Sequence, residues 1–150
     1  MSPEAVSNST CLITLERIGQ LALLPRVFPT VYAPAAVQRE VGVAIPWLKT
    51  KDAANPSTVA VLKVQLGDGE AHAIAVALET PGAEIILDDK KARRVAQQLG
   101  LRVIGTVGVL LRAKRSGIVP AVRPLIQAIQ AAGFRISPLL VNEALRIAGE

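Results

Sequence analysis

Residues 84–100 read Glu84-Ile85-Ile86-Leu87-Asp88-Asp89-Lys90-Lys91-Ala92-Arg93-Arg94-Val95-Ala96-Gln97-Gln98-Leu99-Gly100. The apolar run Ile85-Ile86-Leu87 stops at two adjacent carboxylates, and a helical pattern begins directly behind them. Ala92, Val95, Ala96 and Leu99 recur at i, i+3, i+4 and i+7, the spacing of one buried helix stripe. Lys90, Lys91, Arg93 and Arg94 fall off that stripe. A short apolar run feeding straight into a helix is how a buried parallel strand enters its crossover. Ligands of such sheets bind beyond the carboxyl ends of the strands, where Asp88 and Asp89 would lie. Two acids beside four cations there point to a cation site facing a polyanion. Asp is also a favoured N-cap and suits the first turn of a helix. One of the two aspartates is therefore expected to serve the helix.

Working outward, Ala5-Val6-Ser7 predicts a first strand ending at Asn8, followed by a helix with Leu12, Leu15 and Ile18 in period and Ser9 or Thr10 as cap. Residues 27–32 predict a second strand, interrupted by Pro29, and Pro34 opens a helix over 35–41. Residues 42–56, with Pro46, Asn55 and Pro56, read as a loop, and 59–62 as a short strand or edge segment. The turn Gly67-Asp68-Gly69 leads into an almost wholly apolar helix from Glu70 to Thr80. After strand 85–87 and helix 90–99, Gly100 is a natural C-cap. A strand over 101–104, helices over 106–114 and 120–132, an edge strand over 134–136 and a last helix over 138–148, capped by Ser137, complete the chain. This alternation predicts an α/β fold, a three-layer α/β/α sandwich with a central parallel sheet. At 150 residues it is expected to form a single domain over 1–150, burying roughly 70% of its unfolded surface.

Apolar residues make up 51% of the chain and aromatic residues only 3%, so the core must be built from Val, Ile, Leu and Ala. The formal charge of +5 and pI near 9.9 favour an acidic partner, nucleic acid being the commonest. Cations cluster at 90–94, at Arg112, Lys114 and Arg115, and at Lys49 and Lys51. Cys11 is the only cysteine, which excludes an internal disulfide framework and a cysteine-based metal site. Neither a secretory leader nor an uncharged apolar stretch of ~18–20 residues is present. A cytoplasmic protein with no membrane association is expected.

Three positions belong with Asp88 and Asp89. Glu70 opens a buried helix, Glu40 lies within the helix behind Pro34, and Asn8 ends the first strand. Oxygen donors without His or Cys suit a hard divalent cation, Mg²⁺ or Mn²⁺. Acids packed together without one would repel each other. His72 follows Glu70 by two positions, which on a helix is not the same face, so it reads as a satisfied core or surface histidine. Trp47 reads as packing for its loop. Gly105-Thr106-Val107-Gly108 reads as a tight strand-to-helix turn, from which Thr106, like Ser9 behind the first strand, can line a cleft.

Five segments then carry a resemblance: Ser7–Leu15, Pro34–Val41, Gly67–Leu78, Leu87–Ala96 and Gly105–Gly117. In that order, and over nearly the whole chain, the sequence resembles the PIN domains, specifically a small prokaryotic branch similar to VapC-type toxin ribonucleases. The resemblance implies a PIN-like sandwich and a Mg²⁺- or Mn²⁺-dependent nuclease acting on single-stranded RNA. It also implies an antitoxin protein as partner and a homodimer; the apolar helices 10–20 and 106–114 point to self-association as well. Carried over by position, the first-strand acid falls on Asn8 and the first helical glutamate on Glu40. The acid of the central helix falls on Glu70 and the late strand-end acid on Asp89, with Asp88 adjacent. The resemblance thus implies Glu40, Glu70 and Asp89 as catalytic groups and all five as metal ligands. Lys90, Lys91, Arg93 and Arg94 are placed to neutralise RNA phosphates. Asn8 departs from the usual aspartate: its amide oxygen can ligate a hard cation but brings no charge. A second reading follows, a catalytically weakened PIN-like module that binds RNA or protein. For a third, an unrelated phosphate-handling α/β protein, the chain holds no complete motif.

Overall fold

Strand β1 (Ala5–Ser7) is buried at every position and takes the middle of a five-stranded sheet in the computed structural model, which describes residues 3–150. On one side lie β2 (Val31–Ala33) and the short edge strand β3 (Lys49–Thr50); on the other lie β4 (Glu84–Ile86) and β5 (Arg102–Ile104). The order is β3-β2-β1-β4-β5, and every neighbouring pair is parallel. Ala5 registers with Val31 on one side and with Glu84 on the other. Helices cover both faces of such a sheet, which is why its inner strands read as continuous apolar runs. Because the chain leaves β1 toward β2 and returns to its other side as β4, the strand order reverses between β1 and β4. The crevice beyond the carboxyl ends at such a reversal is where ligands of open α/β sheets bind. Asn8 follows β1 there, and Asp88 follows β4.

Nine helices among the described residues flank the sheet: α1 (Ser9–Arg17), α2 (Leu23–Val27), α3 (Ala35–Val41), α4 (Pro56–Leu62), α5 (Asp68–Leu78), α6 (Lys90–Gln98), α7 (Thr106–Arg115), α8 (Arg123–Ala131) and α9 (Pro138–Ala148). Helix α5 lies against β1 and β4, with α3 and α4 packed on it. Its buried residues, Ala71, Ala73, Ile74, Ala75, Val76 and Ala77, run around most of its circumference, as a helix covered on several sides requires. Helices α2 and α9 pack on α7, α8 on α1, and α6 on β5. The result is a three-layer α/β/α sandwich. Among the described residues no helix is long and apolar enough to cross a membrane.

Several expected elements differ. The segment expected as a strand over 27–32 splits: Leu23, Leu24 and Val27 pack inward from α2, and β2 starts only at Val31, beyond Pro29, which has no N–H to give a ladder. Residues 59–62 are helix α4 and not a strand. Asn55 accepts from Ser57 N at 3.0 Å and Pro56 fills the first turn, so Val59 and Leu62 point inward at helical spacing while Val61 is 70% exposed. The expected loop 42–56 contributes β3, paired Tyr32 to Lys49. Residues 134–136 are not a strand; they link α8 to α9 and join no ladder. Helix α8 begins at Arg123 rather than Pro120, and α5 at Asp68 rather than Glu70. The apolar faces of α1 and α7, the basis for expecting self-association, are covered within the chain: Cys11, Leu12, Leu15, Val109 and Leu110 are all buried.

Two of the cations at 112–115 are structural. Glu84 is buried at the start of β4, and Arg112 of α7 meets it with both terminal guanidinium nitrogens, at 2.6 and 2.9 Å, while lying 5.4 Å from the Phe28 ring centroid. A carboxylate in that position needs such a bidentate partner to offset its lost hydration. Lys114 donates to the Ala148 carbonyl and to Glu150 Oε2, and Glu150 also accepts from the amides of Val122 and Arg123.

Candidate active site

Asn8 sits where the two directions of the sheet part. Its amide donates to the Ile86 carbonyl at 3.2 Å, extending the β1–β4 ladder one step before the chain turns into α1. Asn8 itself, not Ser9 or Thr10, occupies the N-cap position, with extended backbone at φ −82°, ψ 172°. Asn at an N-cap ordinarily turns its side chain onto the helix amides. Here it makes no cap bond. The residue is 4% exposed, and its Oδ1 is buried without a hydrogen-bond partner among the described residues. Leaving such an oxygen unpaired costs about 1–3 kcal/mol. A buried lone acceptor that also forgoes a cap bond fits a ligand's coordination.

Glu40 comes to this oxygen from the last turn of α3. Ser9 Oγ donates to its Oε2 at 3.2 Å. Gly69, buried in the first turn of α5, makes room for it: a β-carbon there would lie 1.9 Å from Glu40 Oε1 and 3.3 Å from Asn8 Oδ1. Glu70 follows on the same helix, and its Oε1 accepts from Gly67 N at 3.3 Å. Burial raises the Glu70 carboxyl above the ordinary range; the charges of Asp89 and Glu40 raise it further, and the Gly67 amide opposes them. Asn8, Ser9, Thr10, Glu40, Gly69 and Glu70 line one cleft of about 280 Å³.

Both aspartates after β4 have structural partners, where the sequence predicts this for one. Asp89 is the N-cap of α6, its Oδ2 accepting from Ala92 N at 2.9 Å. Asp88 turns toward α7 and accepts from Thr106 N at 2.8 Å and from the Thr106 hydroxyl. Asp88 also faces α1: burial pushes the Cys11 thiol up to about 12, with the Asp88 charge adding to it and the Thr106 hydroxyl opposing. Asp89 stands near enough for its charge to act on Glu70, but neither aspartate lines the 280 Å³ cleft. Among the described residues no three His, Cys, Asp or Glu side chains are grouped closely enough to hold a metal by themselves. With the unpartnered Asn8 amide oxygen counted beside the Glu40 and Glu70 carboxylates, the oxygen-only donor set fits a hard cation.

Of the four cations behind the aspartates, Lys90, Lys91 and Arg94 are exposed. Arg93 is half-buried, and its Nη1 donates to the Leu87 carbonyl at 3.1 Å. Gly105 is the reason it fits: a β-carbon there would lie 2.6 Å from Arg93 Nη1 and 3.0 Å from Asp88 Oδ1. His72 lies elsewhere, donating from Nδ1 to the Asp68 carbonyl at 2.7 Å, and takes no part in the cleft. Four lining residues, Thr10, Gly67, Asp68 and Gly69, are not foreseen in the sequence. Gly69 carries a usable signal, because glycine inside a helix is unfavourable unless something approaches it closely. Thr10 lines the cleft with nothing but its place after Asn8 to single it out.

Among curated proteins no relative matches the chain. A family profile described as PIN domain matches residues 4–150. A profile spanning almost the whole chain, on a parallel sheet whose reversal point gathers these oxygens, is decisive: the chain belongs to the PIN-domain family.

Proposed function

We propose that residues 1–150 form one PIN domain that cleaves single-stranded RNA with a divalent cation, as the toxin half of a toxin–antitoxin pair. The observation that carries this reading is Asn8 Oδ1, buried, unpartnered among the described residues and flanked by Glu40. Asn8, Glu40 and Glu70, with Asp89 and Asp88 at the edge, are the groups that would hold Mg²⁺ or Mn²⁺. Such an ion when bound supplies a Lewis acid for a phosphodiester oxygen and lowers the pKa of a bound water. Ser9 holds Glu40 in the cleft through Oε2. The Gly67 amide takes up Oε1 of Glu70, which leaves Oε2 to accept a proton from the attacking water. Lys90, Lys91 and Arg94 are free to neutralise flanking phosphates, and the net charge of +5 supports a polyanionic partner. Likeness to VapC-type toxins supports a protein antitoxin. Leu139, Leu140 and Ile147 on α9, exposed by 81, 46 and 58%, offer an apolar surface for a homodimer.

The neutral amide at Asn8 and the lack of any three-acid group among the described residues favour a second reading, a binding module with weakened turnover. Cleavage of a labelled single-stranded RNA pool with Mn²⁺, Mg²⁺ or EDTA separates the two. Metal-dependent products support the nuclease. Retention of intact RNA under every condition supports the binding module, and neither cleavage nor binding removes both.

A further inference from the structure

The cleft does not end at Thr10. On the other side of that residue a second pocket of about 210 Å³ opens between α1, α7, α8 and the 134–137 link, lined by Thr10, Thr14, Ile129, Phe134, Arg135 and Ile136. Asp88 borders this pocket and also a wider groove of about 620 Å³ that continues to Lys90 and Arg93. Thr10 is thus shared by the carboxylate cleft and the pocket, and Asp88 by the pocket and the groove that carries the cations.

None of the proposed chemistry uses the pocket's interior. Thr14 lines it from α1 at a position only 4% exposed, as does the buried Ile129 from α8. Phe134 is half-buried, with the Arg17 guanidinium 5.6 Å from its ring centroid. Arg135 stands exposed at the pocket's edge. Apolar walls with one aromatic ring, a few hydroxyls and a cation are what single-strand binding sites present to an unstacked base: a surface for its flat face and donors and acceptors for its edge. The volume falls below the ~300–1,000 Å³ typical of pockets for larger small molecules, so a single ring system suits it better than a whole nucleotide.

We propose that this pocket receives one unpaired base of the RNA strand, on the nucleotide adjoining the phosphate held in the carboxylate cleft. Thr14, Ile129 and Ile136 then set a base preference that the acids cannot supply. The proposal rests on the ribonuclease reading and gives that reading its specificity subsite.

The test is binding of fluorescently labelled short oligoribonucleotides with Ca²⁺, an oxygen-seeking cation, in place of Mg²⁺ or Mn²⁺, the strands checked for integrity afterwards, with bases removed one position at a time as abasic sites. One position should matter most in wild type, its loss weakening binding roughly 5- to 10-fold. Ile136→Trp, which fills the pocket from a half-buried position, should erase that difference. Thr14→Val, nearly isosteric, should alter the ranking among the four bases at that position. Equal weakening at every position, or an unaltered preference in Ile136→Trp, overturns the subsite while leaving RNA binding intact. No binding of any strand by wild type overturns the RNA reading itself, and the subsite falls with it.

Discussion

Glu40 occupies the space that a side chain on Gly69 would need: a β-carbon at Gly69 would lie 1.9 Å from Glu40 Oε1. Gly69→Ala should leave the fold intact, because a flexible carboxylate can swing away and Ala is the better helix residue by roughly 0.5–1 kcal/mol. Cation affinity should nevertheless fall about 10-fold, the scale of a displaced or misoriented ligand. Mn²⁺ titration calorimetry beside a thermal melt reads both. Undiminished affinity in a protein of equal or higher Tm would show that Glu40 does not ligate.

Asn8→Asp adds a carboxylate where the neutral amide now stands. Mn²⁺ affinity and RNA cleavage should both rise, since ligand charge count tunes hard-cation sites. Without metal the same variant should be less stable, because a further acid joins Glu40 and Glu70. Asp89→Asn is the matching control: Asn caps α6 as well as Asp does, so stability should hold while affinity and cleavage drop. Metal titrations that cannot tell the three proteins apart would end the metal-site assignment.

The cations behind Asp89 should act through the RNA backbone. Replacing Lys90, Lys91 and Arg94 with Ala should weaken binding across all sequences and reduce the log–log salt slope by about 0.7 for each phosphate that is no longer neutralised. Arg93→Ala should behave differently, since Arg93 is tied to the Leu87 carbonyl and its removal loosens the backbone beside Asp88. An unchanged slope in the triple variant would locate the phosphate track elsewhere.

Glu84 and Arg112 predict a stability asymmetry. Arg112→Met leaves a buried carboxylate alone and should cost about 3–5 kcal/mol, whereas Arg112→Met with Glu84→Leu should recover most of that loss. Denaturant melts of the single and double variants decide it. A double variant no better than the single would mean that packing, and not charge, is at stake there.

Glu150 makes stability depend on pH. The Val122 amide, then Lys114 and the Arg123 amide, hold its carboxyl down to about 2 from an ordinary 4.5. A depressed carboxylate contributes stability that is complete above its unfolded value and is lost as pH falls through its folded one. The difference in Tm between wild type and Glu150→Gln should therefore be full at neutral pH, shrink below about pH 4.5 and vanish near pH 2. A difference that does not change over that range would rule out the carboxylate as its source.

Residues 84–100 are legible in the sequence because an apolar run and a helical stripe are local patterns, and β4 and α6 differ from them only at their ends. Residues 59–62 are not, because β-branched and aliphatic residues in a row imitate a strand; the Asn55-Pro56 start signal, not the composition, decides for helix. The role of Glu84 is not legible, because its partner Arg112 is brought to it only by the packing of α7. Asn8, Glu40 and Glu70 are individually visible, yet spacing alone cannot place them on one cleft, since the pairing of β1 with β4 is remote in sequence. A base pocket is equally hidden in a chain with 3% aromatic residues. One ring, Phe134, suffices when α1 and α8 supply the walls.

The pairing of Ala5 with Glu84 has a kinetic consequence. Closing so long a loop is entropically slow, and pairings of this separation form late. A chain halted before β4, on the ribosome or in a folding intermediate, has β1 with one edge bare, and bare edges invite pairing with other chains. It also lacks Asp88, Asp89 and the Ile86 carbonyl that receives the Asn8 amide. On the nuclease reading, competence for cleavage is thus withheld until folding is complete, with the last inner strand acting as the final step of assembly.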